Sequence, residues 1–281
     1  MHFLKTSLAA VVILGAAAAE AGDIAVGGVV WDPDAPNDFT GKYDFAQWFT
    51  VAPGVADTNN AVPSLAATLD PSTLVPGTSS ATLQGIGEFN LINAKGTNTT
   101  GVDNGPSSFC PTCELTFVFG GFDLKEPTPG GSDLFTNGWL RAYVDDSEDF
   151  LPIDGLTNPA AAADGALWLE ARATNTAFTG LLESGLLQID FDIVGGLAAP
   201  FFLENNAFIR WGVGIGDDAF SSTNAIFQNS DLDGNSVNEF YAFSNGTVLS
   251  STEAIPVPAP LTLLGLGLVG LGYISSRRRS V

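Results

Sequence analysis

The densest spacing of oxygen ligands in this chain is Asp231-Leu232-Asp233-Gly234-Asn235-Ser236-Val237-Asn238-Glu239. Calcium takes oxygen ligands, and Asp231, Asp233 and Asn235 stand at the alternate positions that open an EF-hand loop. The rest of that pattern is missing: Gly234 is fourth where the loop wants glycine sixth, Glu239 is ninth, and Ala242 stands twelfth in place of the bidentate glutamate. The segment is therefore an irregular calcium loop, or a β-turn built from the Asp, Gly and Asn that turns prefer. Two other acid clusters, Asp145-Asp146-Ser147-Glu148-Asp149 and Asp217-Asp218, read as solvated loops.

Carboxylates could also work in pairs. Asp190 and Asp192 share a face with Glu170 and Arg172 if their strands are neighbours, and two suitably spaced carboxyls hydrolyse glycosides. Trp139 and Trp168 could stack on sugar rings, though tryptophan also serves as core. Cys110-Pro111-Thr112-Cys113 admits three chemistries. Zinc needs four ligands, which two cysteines without histidine cannot complete. A redox pair wants a strand-to-helix context, whereas Glu114-Leu-Thr-Phe-Val-Phe119 reads as a strand. A small structural disulfide closing a turn in an oxidising compartment is the use these residues favour, with a redox pair as the alternative. The one histidine is His2, so the body has no histidine base, no Ser-His-Asp or Cys-His pair and no imidazole ligand.

The elements that position these residues are strands. Leu187, Ile189, Phe191 and Ile193 alternate with Gln188, Asp190 and Asp192, a half-buried strand with one wet face. Leu167 to Arg172 alternates likewise, with Glu170 and Arg172 outward. Tyr43–Val51, Leu115–Phe119, Trp139–Val144 and Phe208–Val213 behave similarly. Breakers at Gly120-Gly121, Pro127 to Gly131, Gly195-Gly196, Asp233-Gly234-Asn235 and Asn245-Gly246 mark expected strand ends. Residues 51 to 105 read as loop-heavy, with one strand near Ile86–Ile92, and residues 160 to 163 could hold a short helical turn. The fold expected is all-β: a single antiparallel β-sandwich or jelly-roll-like domain.

The two ends carry addresses. Lys5, the apolar run Leu8–Ala19 and the small-x-small site Ala19-Glu20-Ala21 form a signal peptide over residues 1–21, with Gly22 as the new N-terminus. Residues 255–281 begin with Pro256, Pro258 and Pro260, continue as an apolar glycine-dotted run over Leu261–Ile274, and close with Arg277, Arg278 and Arg279. Arginines beside such a helix stay in the cytoplasm. Gly265-x-Gly267-x-x-Gly270 spells a dinucleotide fingerprint, but lies inside this run without the strand and acidic residue that site needs.

Proline motif, short apolar helix and arginine cluster, in that order, resemble the PEP-CTERM sorting tail. Pro258 and Pro260 match the motif's prolines, while Ala259 stands where the family usually carries glutamate. The resemblance implies a protein exported by a Gram-negative bacterium that makes extracellular polysaccharide. It implies an inner-membrane intermediate held by the C-terminal helix, cutting by an exosortase, and a final place at the cell surface or in the extracellular matrix. Between the two signals, residues 22–254 hold thirty acidic and six basic residues, a formal charge of −24. That field repels nucleic acid and attracts divalent cations. The expectation is an exported, non-enzymatic surface or matrix protein that binds polysaccharide and calcium. The alternative is a carboxylate-based glycoside hydrolase acting on the same polysaccharide.

Overall fold

The computed structural model describes residues 23–33, 39–51, 63, 65, 67–92, 109–150, 159–202, 219–222, 225–232 and 237–250. Through them run β1 (Ile24–Val26), β2 (Val29–Trp31), β3 (Phe39–Val51), β4 (Ala81–Ile92), β5 (Glu114–Leu124), β6 (Phe135–Thr136) and β7 (Trp139–Asp145). There follow β8 (Ala166–Leu181), β9 (Ser184–Gly195), β10 (Ala219–Ser222), β11 (Ala225–Ile226), β12 (Gln228–Ser230) and β13 (Glu239–Ser250). Helical geometry among the described residues is confined to short 3-10 turns, including Pro159–Ala163 and Ala199–Phe201.

The protein is all-β. β1 and β2 pair as a hairpin. The long strands make one antiparallel sheet in the order β10-β13-β3-β4-β5-β7-β8-β9-β11, and β10 pairs with β9 as well as with β13. The sheet therefore returns on itself as a ring of β3, β4, β5, β7, β8, β9, β10 and β13. The two facing layers expected of a sandwich are here two halves of one curled sheet. Successive long strands lie side by side, a meander without the Greek-key connections of a jelly roll. Register shifts at Lys42/Tyr43, Leu83/Gly85, Ala142/Tyr143, Glu170/Ala171 and Ala173/Asn175 supply the bends. Each extra residue increases local twist, and accumulated twist lets a sheet close.

An eight-strand ring is just wide enough to be filled by side chains. Tyr43, Phe45, Phe89, Phe117 and Phe119 fill this one, with Tyr43 and Phe117 edge to face at 5.4 Å. Gly85 and Gly87 on β4 leave the space these rings occupy, since a Cβ there would run into Phe119 and Phe117 respectively. Gly87→Ala is accordingly expected to lower stability by about 1–3 kcal/mol through overpacking. A denaturant midpoint equal to that of the parent would show that the Phe117 ring can move aside.

A second apolar layer lies outside the ring. Trp48, Ile86, Val118, Trp139, Tyr143 and Tyr241 pack against Phe150, Ala161 and Ala162 of the segments that follow β7. Thr116 pins this layer, its hydroxyl donating to the Ala162 carbonyl at 3.1 Å. Two predicted strand ends turn out to be strand interiors. β5 continues through Gly120-Gly121, because the glycines lie against the Trp139 indole and Gly121 takes a φ of 70° that bends the strand without ending it. β13 continues through Asn245-Gly246, which pair with Asp44 and Tyr43. Phe208–Val213 lies outside the described residues, as do the signal and tail segments. Among the described residues no helix is long and apolar enough to cross a membrane.

One rim of the ring is plugged. The start of β3, the end of β4, the start of β5, the end of β7, the start of β8 and the ends of β9 and β13 meet there. Trp31 from the β1–β2 hairpin, Phe39, Trp168 and Phe202 close it as an aromatic cluster with ring centroids 5.2–6.2 Å apart.

Candidate metal centre

The plugged rim also gathers carboxylates. Glu114, the first residue of β5, pairs directly with Asp145, the last of β7. Strand parity puts Glu114 in the outward row with Thr116 and Val118, under the outer layer. The chain leaving β7 then folds back over it. Asp145 Oδ1 accepts from the Ser147 N–H at 3.1 Å, a turn that Asp makes with its own backbone two residues on. The Asp149 N–H donates to the Ser147 carbonyl at 3.0 Å, and the Phe150 N–H donates to Glu114 Oε2 at 3.2 Å. Phe150 is buried in the outer layer and holds the loop down. The result is that Glu114, Asp145 and Asp149 each place a carboxylate oxygen within 4.8 Å of the others. Asp164, in the turn before β8, hydrogen-bonds to the Asp145 side chain.

Electrostatics reflect this crowding. Glu114 is 1 % exposed. Burial pushes its carboxyl up to about 8 despite the Phe150 N–H, and the charges of Glu88, Asp149 and Asp145 push the same way. Asp145 is held below its ordinary range chiefly by the Ser147 N–H. Asp164 is pushed up by burial and by the Asp145 charge. The other oxygen of Glu114, Oε1, is buried without a hydrogen-bond partner. Two oxygens that each sit about 2.4 Å from one ion lie no more than about 4.8 Å apart, so the three carboxylates have the spacing of ligands to a hard cation. An all-oxygen set suits calcium, magnesium or manganese rather than zinc.

The residues singled out in sequence fall elsewhere. Asp231 is exposed and follows β12, while Asp233 and Asn235 lie outside the described residues. Glu239 opens β13 opposite Ser230, is 7 % exposed, and accepts from the Leu232 N–H at 2.8 Å. That carboxylate closes the hairpin loop from within, which is turn chemistry. Cys110 and Cys113 are joined in a disulfide, with the Cys113 N–H donating to the Cys110 carbonyl at 3.3 Å. Both cysteines are buried, Cys113 against Gly28, while Pro111 and Thr112 between them are exposed, and the turn delivers the chain to Glu114. Ala19, Ala21, Gly22, Pro258, Ala259, Pro260, Arg277, Arg278 and Arg279 lie outside the described residues.

Comparison with protein-family models, with curated proteins and with solved structures gives no match.

β8 and β9 are neighbours, so Glu170, Arg172, Asp190 and Asp192 do share one outer face, Arg172 standing opposite Asp192. The polar contacts there tie these side chains to their neighbours. Glu170 Oε1 accepts from Arg141 Nη2 at 3.1 Å and Arg172 Nη2 at 2.9 Å, and Asp190 Oδ2 accepts from Asn175 at 3.2 Å. The sugar-stacking candidates are inside: Trp139 is 2 % exposed and Trp168 fully buried. Glu114 and Asp164 were not singled out in sequence. The one signal for Glu114 was an acid directly between a cysteine turn and an apolar strand.

Proposed function

We propose that this chain is an exported, non-catalytic surface or extracellular-matrix protein that binds calcium and polysaccharide through its acidic exterior. On this reading residues 1–21 are removed as a signal peptide. Residues 255–281 act as a PEP-CTERM-like sorting tail, with Leu261–Ile274 as its membrane helix and an exosortase as its processing partner. The observation that carries the non-catalytic reading is the state of the outward strand acids. Glu170 is held between two arginines, Asp190 by Asn175 and Asp44 by Asn90 at 2.8 Å, so each already has one oxygen engaged by a neighbour. A glycosidase needs a carboxyl free to protonate a leaving oxygen and a second about 5–9.5 Å away. The carboxyl most strongly pushed up, Glu114, is buried beneath the 145–150 loop, away from any sugar ring.

The test is expression in a Gram-negative host, with fractionation, N-terminal sequencing and a polysaccharide pull-down in calcium. The expected result is a protein outside the cytoplasm that begins at Gly22 and sediments with acidic polysaccharide. Cytoplasmic retention with residues 1–21 attached would sink the export reading. Release of reducing ends from the polysaccharide would replace the matrix reading with the hydrolase.

A further inference from the structure

The geometry points to a specific calcium site at the plugged rim, with Glu114, Asp145 and Asp149 as ligands and Asp164 beside them. The inference deepens the proposed function in naming where the ion sits, and rests on it only for an extracellular supply of calcium. The chain has many acids, and what separates this group from the rest is Glu114. Its side chain is 1 % exposed, yet Oε1 has no hydrogen-bond partner, and Glu88, Asp149 and Asp145 add negative charge around it. Several other acids of the outer face and loops have cationic or amide partners: Asp133 with Lys125 at 2.7 Å, Glu170 with its arginines, Asp44 and Asp190 with asparagines. A buried carboxyl oxygen without a donor is costly, and more so once the group is ionised. Setting it against two further carboxylates compounds that cost. One divalent ion removes both terms, since it ligates the orphan oxygen and neutralises the neighbours.

The scaffold suits the ion. Glu114 and Asp145 come from adjacent strands in fixed register, and Asp149 from a loop anchored by Phe150. Three carboxylates leave positions that water and loop carbonyls can fill, since calcium takes six to eight oxygens in flexible geometry. Magnesium demands near-ideal octahedral placement and keeps its waters, so calcium is the better match to ligands of such different burial. Bound there, the ion joins β5, β7 and the loop between β7 and β8 at the rim where Ser250 leaves the ring.

Isothermal titration of the full chain in mild detergent, with calcium chloride alone and about 0.15 M sodium chloride to screen diffuse counter-ion binding, tests this directly. One ion per chain is expected, with Kd on the order of 10⁻⁴–10⁻³ M as in extracellular calcium modules. Asp145→Asn/Asp149→Asn is expected to weaken it at least about tenfold, because affinity follows ligand charge. Asp231→Asn/Asp233→Asn should bind like the parent. Melting curves in excess chelator establish that each variant folds. Absence of saturable binding in the parent overturns the assignment, as does loss of binding only in the Asp231/Asp233 variant. Neither outcome bears on export or polysaccharide binding, which the fractionation and pull-down read separately.

Discussion

Trp168→Ala is expected to lower stability by about 3–5 kcal/mol, the range for removing a buried aromatic from a packed core. Trp168 is fully buried, stands 5.7 Å from Trp31 and 6.0 Å from Phe202, and donates its indole N–H to the Val26 carbonyl at 3.0 Å. Removing it opens the rim cluster and leaves the hairpin carbonyl without that donor. In a chain of this size each kcal/mol shifts Tm by about 2–4 °C, so the melt should fall by roughly ten degrees. Trp168→Phe keeps most of the ring contacts, and should lose only the hydrogen bond and part of the volume. If the alanine variant melted like the parent but no longer bound polysaccharide, Trp168 would be a sugar platform and the rim cluster would be misassigned.

The second large effect is in the pH dependence of the calcium-free protein. Glu114 titrates near 4.5 in an unfolded chain and near 8 when folded. Below 4.5 the carboxyl is neutral in both states, and this group costs nothing. As the pH rises above 4.5 the unfolded chain releases its proton while the folded chain retains it, so stability falls until the folded group also ionises near 8. Each pKa unit is worth about 1.4 kcal/mol, which makes the whole fall several kcal/mol. Asp145, held below its ordinary range, contributes with the opposite sign, its stabilisation disappearing as the pH drops through its folded value. The difference between parent and Glu114→Gln isolates the first group. Denaturation in excess chelator should find the two similar near pH 4 and the glutamine variant clearly more stable at pH 8 to 9. Parallel profiles would mean that Glu114 is solvated in solution, and the metal centre would lose its buried ligand.

How much of this was legible in advance differs by element. Leu187, Ile189, Phe191 and Ile193 alternate as one apolar face, and β9 places them inward along its pairing with β8. The same parity applied to β8 puts Trp168 outward with Glu170 and Arg172. It fails there because the register steps from Ala142–Leu169 to Tyr143–Leu167, leaving Trp168 as the extra residue of a bulge that turns it into the rim cluster. Gly120-Gly121 and Asn245-Gly246 looked like stops for a related reason. Glycine is as useful for letting an indole or a neighbouring strand approach as for turning a chain. The candidate metal centre is half legible: Asp145 and Asp149 stand in one acid cluster, but their partner Glu114 is distant in sequence.

By itself the sequence determined the strand alternation, the disulfide partners of a chain with two cysteines, the acidic surface and the absence of histidine chemistry from the body. Each of these is a property of composition or of neighbours two residues apart. The tertiary structure alone decided that the sheet closes on β10, that Trp168 points inward, and that Glu114 lies buried beside Asp145 and Asp149. Those outcomes depend on which strands pair and in what register. Register is set by the packing of residues far apart in the chain, and local periodicity carries no record of it.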